Sequence, residues 1–276
     1  LALAGLAEGA IDPGTSVFCN GSVVMYGHLF RWWRRGGHGL VNLERALEES
    51  CDVYFDQLGR RLGIESMAPW LHRFGFGERT GLDLKFENSG LIGTPEWSRR
   101  VRGTPWYPGE AISVSIGQGP VLATVLQLAR GFAALANGGR LISPHLVTQP
   151  SGDRVEPMVN QDRLALVTSA LEQVVHGPAG TARRMARLPM AGKTGTAQVA
   201  RLQDGVDSDD LAPHLRHHAW FVGWAPLDQP ELVVSVIVEH GGDGGSAAAP
   251  VAGAVIEAYL GQQSSAGLPL EPDGVL

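Results

Sequence analysis

Lysine is nearly missing from this chain. Of 22 basic residues among 276, only Lys85 and Lys193 are lysine and the other 20 are arginine. Cysteine is as scarce: Cys19 and Cys51 are the whole supply, which excludes a multi-disulfide scaffold and leaves one bridge, a shared metal, or two buried thiols. Net positive charge is absent. The balance is −6 with a pI near 5.8, which argues against nucleic acid as a partner despite the aromatic and basic mixture of Tyr26, His28, Phe30, Trp32, Trp33, Arg34 and Arg35. No apolar run reaches the roughly 18–20 residues needed to cross a bilayer. There is no internal repeat and no initiating methionine. The chain opens at Leu1 on an apolar, helix-like run and reads as the continuation of a longer protein.

What is present describes a globular α+β protein. Hydrophobic residues make up 44% and charged residues 18%, and the length suffices for a sizeable core. A helix is expected to end near Glu8 and Gly9. Residues 16–40 read as irregular. Asn42 is placed to cap a helix carrying Leu43, Ala46 and Leu47. Apolar spacing resumes at Tyr54, Leu58 and Leu62, and Ser66 is expected to cap a further helix over 67–74. Residues 87–110 read as loop. Thr124-Val125-Leu126-Gln127 has the form of a capping box before a helix with Leu128, Phe132 and Leu135 on one face, ended by Asn137-Gly138-Gly139. Asn160 opens another helix. After residue 188 the apolar period changes from 3.6 to 2, predicting antiparallel strands at about 190–199, 218–225 and 231–239, with a polar loop at 201–216. A helix over 247–260 closes the fold, and the tail from Gln262 is expected to be disordered. Helices first and strands later define α+β rather than a doubly wound sheet. One domain over 1–261 is expected, mainly helical and loop over about 10–140, then a helix with an antiparallel sheet over about 141–261.

The stretch with most chemistry is Ala191-Gly192-Lys193-Thr194-Gly195-Thr196-Ala197-Gln198-Val199. Gly192 and Gly195 leave room for a ligand to approach the backbone, and the threonines favour an extended strand. Hydroxyls of Thr194 and Thr196, strand N–H groups and the Lys193 ammonium together suit a carboxylate. An exposed edge strand with an ordinary surface lysine is the competing reading. Ser50-Cys51-Asp52 lies between two helical segments. A break at Ser50 lets Ser50 and Asp52 face one cleft; otherwise Ser50 caps the second segment and Asp52 answers its dipole. Cys19, His28, His38 and Cys51 offer two thiolates and two imidazoles, a donor set for tetrahedral zinc. Their gaps of 8, 9 and 12 residues match no compact zinc finger.

These stretches together resemble the motif set of penicillin-binding proteins and serine β-lactamases: Ser-x-x-Lys, a Ser-x-Asn-like triplet and Lys-Thr-Gly. Asn42 to Tyr54 is similar to the corresponding segment of class B penicillin-binding proteins, and within them to the penicillin-binding protein 2 group of the rod-elongation machinery, where Asp commonly replaces Asn in the triplet. Gly117-Gln118-Gly119 through Gly139, and His218 through Pro226, are further matches. The resemblance covers nearly all of residues 1–260. It departs at the nucleophile: Leu82 precedes Lys85 and Met190 precedes Lys193 at the serine position, so the chain holds no Ser-x-x-Lys. In the family that motif lies just before the helix that Leu1–Gly9 completes, and truncation is the expected cause.

The resemblance implies a penicillin-binding/β-lactamase-like transpeptidase fold and a peptidoglycan D,D-transpeptidase that works through a serine acyl-enzyme. Ser50 would relay a proton to the leaving amine, Lys193 would supply positive potential, and Thr194 and Thr196 would bind the substrate carboxylate. The Thr196 N–H would serve an oxyanion hole. It further implies D-Ala-D-Ala stem peptides and β-lactams as ligands, a membrane glycosyltransferase and elongation-complex proteins as partners, and a periplasmic location on an inner-membrane anchor. No cofactor is implied for catalysis. A structural zinc is implied at positions matching Cys19, Trp32, His38 and Cys51; tryptophan cannot ligate, so either His28 fills the fourth place or the metal is lost. A β-lactamase or β-lactam sensor on the same fold, and a non-catalytic partner of the elongation complex, remain as alternatives. The 276 residues alone are expected not to acylate.

Overall fold

The computed structural model describes residues 1–31, 36–147, 158–199 and 210–266. Helix α1 (Ala2–Ala7) is followed by four short strands, β1 (Val17–Cys19), β2 (Ser22–Met25), β3 (His28–Arg31) and β4 (Gly39–Val41). The expectation of irregular chain over 16–40 is therefore corrected. β1 pairs with β4 and β2 with β3, all antiparallel, so the β2–β3 hairpin is carried on a β1–β4 ladder. Strands of 3–4 residues have too little period to announce themselves, and here each depends on a partner brought by the fold.

Helix α2 (Leu43–Glu48) starts on Asn42, whose side chain accepts the Arg45 N–H, and α3 (Asp52–Arg73) follows after a break. The break falls at Ser50, which has a left-handed φ of 54°, a conformation uncommon outside glycine and asparagine. Ser50 does not cap α3; Cys51 holds that position. Inside α3 the axis kinks at Gly63 (φ 66°, ψ 168°), so the second helical piece starts at that glycine and Ser66 lies within it rather than at its cap.

Residues 87–110 hold more structure than their prolines suggest: β5 (Leu91–Ile92), α4 (Pro95–Trp97), a wide turn over Ser98–Arg102, and the start of α5 (Pro108–Ser115). Strand β6 (Val121–Leu122) pairs with β5. Helix α6 (Val125–Ala136) carries the expected capping box, with Thr124 Oγ1 accepting the Gln127 N–H and Gln127 Oε1 accepting the Thr124 N–H. Its most buried positions are Gln127, Gly131 and Ala134, while Leu128, Phe132 and Leu135 are half-buried beside them. The buried Gln127 amide also donates to the Glu78 and Ser89 carbonyls, so one cap residue ties the 78–89 loop to the helix.

Helix α7 (Gln161–His176) begins on Asn160, and β7 (Ala191–Ala197), β8 (His218–Ala225) and β9 (Leu232–Val238) form one antiparallel sheet in that order. Register pairs Lys193 with Val222 and Thr196 with Ala219. β8 is buried on both faces. Its Trp224 ring meets Phe132 of α6 at 6.3 Å, whereas Phe221, of opposite parity, faces the other way and is fully buried. Helix α8 (Ala249–Ala266) packs on the sheet as well, after a wide turn over Gly244–Ala248. It runs through 262–266, correcting the expectation of disorder from Gln262; the remainder of that tail, and 201–209 of the polar loop, lie outside the described residues. One hydrophobic cluster runs from Ala2 of α1 to Ile256 of α8, joining the helical and sheet portions. The result is α+β.

Candidate active site

Among the described residues β7 is an edge strand of its sheet, paired there with β8 alone. Glycine is required within it: a Cβ at Gly192 would come within 2.5 Å of the Phe221 ring and 2.7 Å of the Val222 carbonyl. That close packing fixes the strand from which Lys193 projects. Lys193 Nζ donates to Ser50 Oγ at 2.8 Å and to the carbonyl of Thr194 at 3.0 Å. Residues 143 apart in sequence thus meet side chain to side chain. The left-handed turn at Ser50 makes the meeting possible, because it takes Ser50 out of the α2–α3 helical course.

Burial pushes the Lys193 ammonium down from 10.5 to about 8, against the opposing pull of the Asp52 and Asp243 carboxylates. Asp52 opens α3. Burial, then the charge of Asp56, lifts its carboxyl well above the usual range, and Lys193 draws it back. Asp56, one helical turn further along α3, is 2% exposed, and burial raises it to about 7. Its Oδ1 has no hydrogen-bond partner among the described residues. The site therefore combines a serine, a lysine that burial makes easier to deprotonate and two carboxyls that are poor anions, all in a poorly solvated place.

Thr194 and Thr196 are placed unequally. The Thr194 hydroxyl is buried and shares a hydrogen bond with Thr181 Oγ1 at 2.7 Å, while Thr196 is exposed. Gln118 closes the far end of the edge: its amide donates to the Thr196 carbonyl at 3.0 Å and accepts from the Gln198 N–H at 3.3 Å. Thr181, Gln118, Asp56 and Asp243 carried no assignment in the sequence. Gln118 was visible only as part of Gly117-Gln118-Gly119, and Thr181 and Asp243 lie in turns with no periodicity to place them.

The metal candidates divide. Donor atoms of Cys19, His38 and Cys51 lie within 4.8 Å of one another, all three residues buried. His28 is not among them. It stands exposed on the β2–β3 hairpin, which corrects its candidacy as fourth ligand; the Trp32 position lies outside the described residues. His38 turns Nδ1 toward Cys19 Sγ at 3.6 Å and Nε2 toward the buried Glu49 carboxylate at 3.7 Å. A ligating histidine gives one ring nitrogen to the metal and turns the other to a carboxylate or carbonyl, and the Glu49 carboxylate stands on that second side of His38. Arg45 braces the arrangement through Glu49 and through the carbonyls of His38 and Leu40. Burial, with the Cys19 thiol adding to it, pushes Cys51 up to about 12, so a thiolate there calls for a cation beside it. Two sulfurs and an imidazole in this arrangement fit zinc at three of four places.

Fold and groove together define the class: the chain belongs to the penicillin-binding protein transpeptidase domain family, whose pattern it matches over residues 1–257. Within that family it is similar to the peptidoglycan D,D-transpeptidase MrdA of Haemophilus influenzae, 38% identical over 281 residues, covering 95% of this chain and 43% of the relative. The crystal structure of Pseudomonas aeruginosa PBP2 in complex with WCK 5153 superposes with a TM-score of 0.83 at 40% identity, covering 94% of this chain and 58% of that one. The Helicobacter pylori PBP2 complex with MreC gives a TM-score of 0.83 at 29% identity, covering 96% and 48%. The chain thus spans less than half the length of the curated relative.

Proposed function

We propose that this chain forms two walls of the groove of a peptidoglycan D,D-transpeptidase, with the acylated serine supplied from outside these 276 residues. The observation that carries the reading is the 2.8 Å bond from Lys193 Nζ to Ser50 Oγ. Ser50 is the proton relay: held by Lys193, its hydroxyl passes a proton to the departing amine of the donor peptide and takes one from the incoming amine of the acceptor. Lys193 keeps that hydroxyl oriented and gives the groove a positive potential for the donor's terminal carboxylate. The exposed Thr196 hydroxyl binds that carboxylate, Thr194 assists from its pairing with Thr181, and Gly195 leaves the approach open. The Thr196 N–H is one donor of the oxyanion hole. Losing such a donor costs about 3–4 kcal/mol of transition-state stabilisation. Asp52 supports the Lys193 charge from the start of α3.

No helix of the described residues is long and apolar enough to cross a membrane. We place the domain in the periplasm, on an inner-membrane anchor outside these residues. The ligands are D-Ala-D-Ala stem peptides and β-lactams, and the partners a membrane glycosyltransferase and elongation-complex proteins. The likeness to the Helicobacter pylori protein bound to MreC supports the last of these. The test is labelling by a fluorescent penicillin. A longer protein containing this chain and a Ser-x-x-Lys serine is expected to be labelled, and a prior β-lactam to prevent it. The 276 residues alone are expected to stay dark, and blockable labelling of that chain would overturn the assignment.

Cys19, His38 and Cys51 would hold three places of a structural zinc that would pin the β1–β4 ladder to the turn at Ser50. Zinc there supplies charge to two thiolates and no step of the reaction. Protein purified without chelator is expected to carry about one equivalent of zinc, and its removal to lower the unfolding temperature. Less than about a tenth of an equivalent would end the idea.

A further inference from the structure

Glu48 has no local reason to be where it is. It is the last residue of α2, where an acid opposes the helix dipole, and it is buried, which makes a carboxyl less favourable still. Its partners lie across the fold. Its Oε1 accepts the Ala179 N–H at 2.8 Å, and its carbonyl accepts the Thr181 N–H at 3.3 Å. One residue at the end of α2 thus bonds twice to a turn whose Ala179 lies 131 residues further on. The turn is shaped to receive it. A Cβ at Gly177 would run into the Glu48 carboxyl, so glycine is needed there. The Gly180 N–H closes the turn on the Gly177 carbonyl at 3.2 Å, and the Ala182 N–H ties it to the Val174 carbonyl of α7 at 2.9 Å.

From this turn a chain of bonds leads to the candidate active site and back. Thr181 Oγ1 shares a hydrogen bond with Thr194 Oγ1 at 2.7 Å, the Thr194 carbonyl accepts from Lys193 Nζ at 3.0 Å, and Lys193 Nζ donates to Ser50 Oγ at 2.8 Å. Ser50 follows Glu48 by two residues, so the path closes into a ring. Two routes then set the gap between the Ser50 turn and β7. One is the direct Lys193–Ser50 bond, made by a flexible four-carbon arm that tolerates a range of gaps. The other runs through Glu48, the 177–181 turn and Thr181, and consists of backbone and short side chains that tolerate little.

We propose that Glu48 is a positioning residue for the proton relay: through the 177–181 turn and Thr181 it holds β7 at the distance at which Lys193 reaches Ser50. It touches no substrate. The proposal rests on the transpeptidase reading and adds the strut that keeps the two walls of the groove in place. A misplacement of about 1 Å at reacting groups can cost roughly 10²-fold in rate, which sets the scale of the effect.

Penicillin acylation of the longer protein that carries the Ser-x-x-Lys serine tests it. Three quantities are read: the fraction of sites labelled at saturation, the dissociation constant of the first encounter, and the acylation rate constant. Glu48→Ala is expected to lower the rate constant about 10–100-fold, with the labelled fraction unchanged and the dissociation constant moved less than about threefold. Glu48→Gln keeps an oxygen for the Ala179 N–H and is expected to recover the rate to within about threefold. Thr181→Val cuts the same route further along while leaving the turn's backbone bonds in place, and is expected to slow acylation at least about fivefold. Combined with Glu48→Ala it should add little, because both changes break one path. A fall in labelled fraction at an unchanged rate constant would make Glu48 a support of folding alone and overturn the proposal. So would a glutamine variant as slow as the alanine one, a valine variant at wild-type speed, or losses that multiply in the double variant. If Glu48→Ala does not fold, Thr181→Val decides by itself. A wild-type longer protein that penicillin does not label would count against the transpeptidase reading rather than against the strut.

Discussion

Lys193→Met is expected to reduce penicillin acylation of the longer protein by roughly 10²–10³-fold while raising the stability of the fold. The two effects share one cause. Lys193 is held against Ser50 in a poorly solvated place, where the proposed function calls for a cation, and burial lowers it from 10.5 to about 8. Between those values the unfolded chain binds the proton and the folded chain has released it. Stability therefore rises with pH through that window, and below about 8 the whole cost is present. Its size is on the order of 3 kcal/mol as an upper limit, since the side chain is only partly buried and solvent screens part of it. Methionine fills a similar volume without the charge. The variant should melt higher at pH 7 and lose the upward slope between pH 8 and 10.5. In the wild type, donor-peptide affinity should decline above about pH 8. A methionine variant that loses activity and stability together would make Lys193 a structural support and remove its proposed role.

Asp56→Asn is expected to stabilise the chain at neutral pH by about 2–4 kcal/mol, or roughly 6–12 °C in unfolding temperature. Asp56 is 2% exposed, its Oδ1 lacks a partner among the described residues, and burial raises it from 3.8 to about 7. The folded state then holds the proton more tightly than the unfolded one. The stability that goes with it is present below about pH 4 and is lost as pH rises toward 7. Asparagine removes the ionisation and hence that slope. Urea midpoints at pH 4.5 and 7 check it: the wild type should lose stability between the two and the variant should not. Equal midpoints for the wild type would show that Asp56 is paired or solvated after all. A buried carboxyl of this kind also acts on Asp52, so acylation rates of the variant report how far Asp52 depends on its neighbour.

The sheet was legible because β7, β8 and β9 are 7–8-residue runs of small, β-branched and aromatic residues, and the helix caps because Asn42, Thr124 and Asn160 carry their own hydrogen bonds. The Lys193 and Ser50 stretches were legible as motifs, and a break at Ser50 and a shared site for the two were expected; the form of the break, a left-handed turn at a serine, was not. The hairpins before residue 42 escaped notice because 3–4 residues carry almost no period. His28 misled because histidine count says nothing of direction: its place on an exposed hairpin keeps it from the thiols that His38 reaches. Ser66 misled because a serine is a cap only when the chain before it is not helical, and here Gly63 had already ended the previous turn. Asp56 gave no signal, as nothing in a run of mixed residues marks which carboxyl will lose its water.

The carbonyls of Thr194 and Thr196 are already occupied, one by the lysine ammonium and the other by the Gln118 amide. A residue in a strand turns its N–H and C=O to the same side, so the Thr194 and Thr196 N–H groups face this open border, while the Gln198 N–H is already given to Gln118. An ordinary extended segment must both give and receive to zip onto such a border, and here it would find its own N–H groups unanswered. The border is therefore poorly suited to strand-by-strand growth, whereas a carboxylate that only accepts matches the N–H groups facing it.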